Sequence, residues 1–132
     1  MREFDTDEIR LITAFENMTG TEVRDCLSGE ILYFLISPGK MGKAIGKNGK
    51  MIKTAERMFG KPIKIFEWSE EDKEFIKNLI PQAQKINLEG EKASVSLIGR
   101  DRGLVIGKNG SNINSIRKLL ERNSTVKDLK VI

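Results

Sequence analysis

The sequence predicts an α+β protein of two tandem units, each a small three-stranded sheet with helices packed on one face. Three observations carry that prediction. The pentapeptide Ile45-Gly46-Lys47-Asn48-Gly49 returns unchanged as Ile106-Gly107-Lys108-Asn109-Gly110, 61 residues on (Gly46 to Gly107). Helix and strand signals run in the same order around both copies. Almost no linker separates them, because the last strand signal of the first copy ends at Trp68 and the next helix signal begins at Ser69. The units are therefore read as 1–68 and 69–132. Units of roughly 65 residues bury only about 60% of their unfolded surface, so the two are expected to pack against each other rather than swing on a tether.

In the first unit, Asp5 with Glu8 reads as a capping box. Leu11, Ile12, Phe15 and Met18 then recur at helical spacing until Gly20 stops the run. Thr21 to Leu27 reads as a strand, Ser28-Gly29 as a hairpin turn, and Ile31 to Ile36 as a well-buried second strand ended by Pro38-Gly39. A short helical turn from Lys40 to Ile45 enters the glycine loop. The helix after it places Met51, Ile52, Ala55, Met58 and Phe59 on its apolar side until Gly60 and Pro62 close it. Ile63 to Trp68 reads as the third strand.

The order then begins again. Ser69 and Asp72 are spaced as an N-cap and its partner, and Phe75, Ile76, Leu79 and Ile80 form a helical stripe closed by Pro81. Gln84 to Leu88 reads as a strand and Glu89-Gly90 as a turn. In the next strand, Ala93 to Ile98, the apolar Ala93, Val95 and Leu97 alternate with serines. The second loop follows Gly99-Arg100-Asp101-Arg102-Gly103. Ile113, Ile116, Leu119 and Leu120 line the helix beyond it, each 61 residues after Ile52, Ala55, Met58 and Phe59. Lys127 to Ile132 reads as the last strand.

Composition narrows the chemistry. There is no histidine, which removes Ser-His and Cys-His catalysis and histidine metal sites. One cysteine, Cys26, rules out an internal disulfide and fits a reducing cytoplasm; it reads as a small core hydrophobe. No apolar run approaches the ~18 residues of a membrane span, and the first residues do not form a signal peptide. Net charge is only +4, but it is unevenly spread. Residues 1–39 hold three Lys/Arg against eight acids, 40–64 eight against one, and 92–132 nine against three. Positive charge gathers at the glycine loops, the pattern of a polyanion-binding surface.

The loops themselves are specific. Glycine lets a chain turn with positive φ and lets another backbone come close, and lysine with asparagine at the tip suits a phosphate. A nucleotide-binding P-loop needs G-x-x-x-x-G-K-[ST], which neither copy has, and no G-x-G-x-x-G is present. Instead, Val105-Ile106-Gly107-Lys108-Asn109-Gly110-Ser111-Asn112-Ile113 fits the V-I-G-x-x-G-x-x-I signature of KH domains, and Ala44 to Ile52 fits it with alanine for the first valine. The helix-strand-strand start and the single strand after the last helix resemble type II (prokaryotic) KH topology. The resemblance covers essentially the whole chain as two copies. Two such units without further domains resemble the short archaeal version of the NusA family of transcription termination/antitermination factors. Bacterial members carry an N-terminal polymerase-binding region and an S1 domain, for which this length leaves no room.

That resemblance implies a non-enzymatic, single-stranded RNA-binding protein without cofactor or metal, a cytoplasmic monomer with RNA polymerase as a partner. In KH domains the G-x-x-G loop clamps the backbone of about four nucleotides, with the following helix's N–H groups and dipole facing the phosphates. Carried over, Gly46, Lys47, Asn48, Gly49, Gly107, Lys108, Asn109, Gly110 and Ser111 meet the backbone. Ile45, Ile52 and Ile63, and in the second unit Ile106 and Ile113, wall an apolar groove for bases. Lys40, Lys43, Lys50, Lys53, Arg100 and Arg102 flank the loops. With aromatic residues at 6%, bases are held through aliphatic contacts and edge hydrogen bonds, unlike the stacking platforms of RRM or OB modules. The same fold also suits a scaffold in ribosome maturation or RNA degradation, with Asp5, Asp7 and Glu8 as a protein contact.

Overall fold

Helix α1 (Thr6–Thr19) opens the chain described by the computed structural model, which covers residues 6–132. Asp5 lies outside the described residues, so the capping box is not described. Phe15 is fully buried, with Leu11, Ile12 and Met18 packed on the same core. Gly20, at φ +68°, ends the helix and donates its N–H to the Glu16 carbonyl at 2.8 Å. Strand β1 (Val23–Leu27) starts two residues later than the apolar pattern suggests. Thr21 is held instead by the helix end: its hydroxyl shares a 2.7 Å hydrogen bond with that of Thr19, which also receives the Thr21 N–H. The Glu16 carboxylate accepts the Val23 N–H at 2.9 Å, tying the helix to the strand it covers.

Strand β2 (Leu32–Ile36) pairs antiparallel with β1 and parallel with β3 (Ile63–Glu67), so it is central. A parallel pair needs a crossover, and helices α2 (Met41–Ile45) and α3 (Lys50–Phe59) with the glycine loop between them supply it. The continuous apolar run of β2 is buried at all five positions, as expected of a strand covered on both faces. Phe34 stacks on Phe15 at 4.2 Å between centroids. Around them sit Val23, Cys26, Leu32, Ile36, Ala44, Ala55 and Ile63. The opposite face carries Tyr33 against Phe66, 6.2 Å apart, and the Arg24 guanidinium lies 3.9 Å from the centroid of the Trp68 ring.

The chain divides into two compact units, the first ending at Trp68 and the second starting at Ser69. In the second, α4 (Asp72–Leu79) precedes β4 (Lys85–Glu89) and β5 (Lys92–Ser96). Then come α5 (Gly99–Ile106), the second glycine loop, α6 (Ser111–Asn123) and β6 (Asp128–Val131). Here too the middle strand, β5, is antiparallel to one neighbour and parallel to the other. Ile86, Ala93, Val95 and Leu129 face the core with Phe75, Ile76, Leu79 and the α6 stripe, whereas Lys85, Asn87, Glu89, Lys92, Asp128 and Lys130 are exposed.

Three further expectations change. Ser69 is not the cap of α4: Glu71 holds that position, and the Ser69 hydroxyl closes a local turn by accepting the Glu71 N–H and donating to Glu74, both at 3.2 Å. Strand β5 stops at Ser96 rather than Ile98, because Ile98 is already the extended residue that starts α5. Met58, placed on the apolar side of α3, is 65% exposed; it lies about a quarter-turn from the line of Ile52, Ala55 and Phe59.

Candidate functional site

Both glycine loops are built from the same backbone. Gly46 and Gly107 have φ/ψ of 78°/169° and 76°/174°, a region essentially reserved for glycine. Asn48 and Asn109 follow at φ 57° and 55°, the two non-glycine residues with positive φ among those described; asparagine is one of the few side chains that tolerates the left-handed conformation. Gly49 and Gly110 close the turn at φ 72° and 75°, each returning its N–H at 3.1 Å to the carbonyl of the first glycine.

The two glycines of each pair serve different ends. A Cβ on Gly46 would lie 2.8 Å from both the Cβ and the backbone N of Met51, and one on Gly107 would lie 2.7 Å from the Asn112 Cβ. The first glycine lets the loop fold back on its own helix. A Cβ on Gly49 meets nothing within 4 Å, and one on Gly110 only the Asn114 amide at 3.7 Å. The second glycine leaves the outer side of the loop bare.

That bare side borders a helix N-terminus with unusual contents. Glycine occupies the N-cap of α3 and α6, neither helix has a side-chain cap, and neither has an acid in its first turn. The Lys47 and Lys108 carbonyls take the N–H groups of Lys50 and Ser111, but first-turn N–H groups in general lack partners within the helix and carry the positive end of its dipole. Here they are accompanied by the exposed Lys47, Asn48 and Lys50 in one unit and Lys108, Asn109 and Ser111 in the other. The arrangement can accept an anion whose own backbone approaches closely.

The remaining predicted residues divide. Lys40, Lys43 and Lys53 are exposed around the first loop, as is Arg100 near the second. Arg102 is half-buried and donates to the Ile132 carbonyl at 3.0 Å, which joins α5 to the chain beyond β6. Ile45, Ile52 and Ile106 are half-buried beside their loops, Ile63 sits at the core edge, and Ile113 is only 4% exposed, a core residue. Asn112 was not singled out by its sequence. Its amide donates at 2.7 Å to the Val105 carbonyl, filling an orphan acceptor at the end of α5. The signal for it is a polar residue where the first copy has Met51. Among the described residues no helix is long and apolar enough to cross a membrane, and no cluster of three metal-ligating side chains occurs.

No protein-family model matches the chain. The chain is similar to the probable transcription termination protein NusA of Methanocaldococcus jannaschii, 33% identical over 139 residues, covering 96% of this chain and 73% of that protein. It is 35% identical over 137 residues to the protein of the same description from Methanococcus vannielii, covering 98% and 79%. The crystal structure of APE1850 superimposes with a TM-score of 0.76 at 28% identity, over 98% of this chain and all of that one.

Proposed function

The chain belongs to the archaeal NusA-like family of transcription termination proteins, and from that premise we propose that it binds single-stranded RNA through two tandem type II KH domains, 1–68 and 69–132, during termination or antitermination. One observation carries the reading: the two loops, in which a sterically required glycine, a left-handed asparagine and an open glycine lead into an uncapped helix. Each loop grips the RNA backbone with helix N–H groups and the Lys-Asn tip. Ile45, Ile52 and Ile63, and Ile106 with the edge of Ile113, hold bases in the adjoining grooves. The protein works as a monomeric binding factor without cofactor or catalysis, in the cytoplasm beside RNA polymerase.

The test is fluorescence anisotropy with single-stranded RNAs of four, eight and twelve nucleotides at two salt concentrations. Affinity that climbs beyond four nucleotides, with a clear salt slope, is expected if both loops engage one strand. Changing Lys47-Asn48 and Lys108-Asn109 together to Asp-Asp should abolish binding at all three lengths while the far-UV circular dichroism stays unchanged. Binding that survives those four substitutions would sink the proposal.

A further inference from the structure

The outer face of α3 carries a row of cations that form no ion pair among the described residues. Lys50, Lys53 and Arg57 are exposed and fall within about 60° of one another around the helix, nearly opposite the buried Ala55. They run about 10 Å along the axis, starting at the loop where Lys47 stands. Among the described residues none of these four pairs with a carboxylate. Lys50, Lys53 and Arg57 line a shallow open depression together with Glu56. Glu56, the acid in that lining, turns its carboxylate to the strand and accepts the Ile63 N–H at 2.9 Å. The depression therefore keeps its positive charge. At the matching places on α6 stand Ser111, Asn114 and Lys118, so the second unit has one cation where the first has three.

We propose that this row on α3 is a phosphate track: it holds the backbone of the same RNA strand beyond the nucleotides gripped by the first loop. The inference rests on the RNA-binding reading above and adds an asymmetry to it. The first unit has the longer footprint and the steeper salt dependence, and Arg57, about two turns past the loop, is part of its binding surface. A spacing of three and four residues suits successive phosphates approached by long, jointed side chains, and it demands no base identity.

The experiment uses the full chain with the second loop silenced (Lys108→Asp with Asn109→Asp), so that the first unit alone reports. Lys53→Gln with Arg57→Gln is added, and oligouridylates of four and twelve nucleotides are titrated across salt. The expected result is a 4-mer affinity lowered by no more than about twofold, the share of Lys53 at the loop's flank, a 12-mer affinity roughly five- to tenfold weaker, and a 12-mer salt slope lower by about 1.4, at about 0.7 per phosphate contact. Lys118→Gln, made with the first loop silenced instead, should change neither length. An unchanged 12-mer would overturn the track and leave the row to an acidic protein surface; equal losses on both lengths would overturn it too, as a general field effect. If the unsubstituted chain bound no RNA at all, it is the RNA-binding reading that would fall.

Discussion

At the first glycine, the asparagine and the second glycine of the two loops the backbone angles differ by at most 5°, the gap between ψ 169° at Gly46 and 174° at Gly107. Their surroundings differ far more. The first loop is entered from a five-residue helix and leads to Lys50 and Lys53. The second is entered from an eight-residue helix and leads to Ser111 and Asn114, with Asn112 bonded back to α5. The comparison teaches that the loop's shape follows its own five residues, which are identical in the two copies where most of the flanking residues are not. Charge and rigidity are set by the flanks and are free to diverge.

Substituting the first glycine tests the shared part. Gly46→Ala and Gly107→Ala each add a Cβ to a glycine-only backbone and press it on the following helix, and each should cost about 4 kcal/mol. Urea unfolding should give similar losses for the two; a large difference would mean that the flanks also shape the loop. The next contrast lies at matched positions of α3 and α6. Leu119→Ala empties a fully buried site and should cost about 3 kcal/mol, whereas Met58→Ala should stay within about 0.5 kcal/mol, read in the same titration. Gly49→Ala strains φ without a clash and should cost about 1 kcal/mol. Asn112→Met gives the second loop the residue of the first and strands the Val105 carbonyl. A loss of about 1 kcal/mol is expected, with faster amide exchange at Gly107 and Lys108; no change would show that the hydrogen bond does nothing for rigidity.

Much of this was legible in the sequence because it rests on local rules. The repeat located both loops, glycine announced positive φ, and the apolar run from Ile31 to Ile36 announced a well-buried strand. What escaped has a common physical cause. Glu16 to Val23 and Glu56 to Ile63 are side-chain to backbone bonds across seven residues, and Asn112 to Val105 spans the same distance backwards. Such ties depend on where a turn happens to bring the chain, and no periodicity marks them. Met58 and Leu119 occupy the same angular position on their helices, yet one is exposed and the other buried, so wheel position alone does not decide burial. The Ser69 cap failed because a serine hydroxyl serves a turn as readily as a helix start.

The parallel pairing of β2 with β3 sets an order of events in time. β1 and β2 are joined by four residues, Ser28 to Ile31, but β3 reaches β2 only after the chain has passed through α2, the loop and α3. Closing a longer segment costs more entropy, and non-local contacts form later. The hairpin therefore assembles first and the crossover docks last. Stability lost by substitutions in the late-docking crossover then weighs on how fast a unit opens more than on how fast it forms. In each unit the loop can take its shape locally, while the crossover that carries it is the last piece to dock.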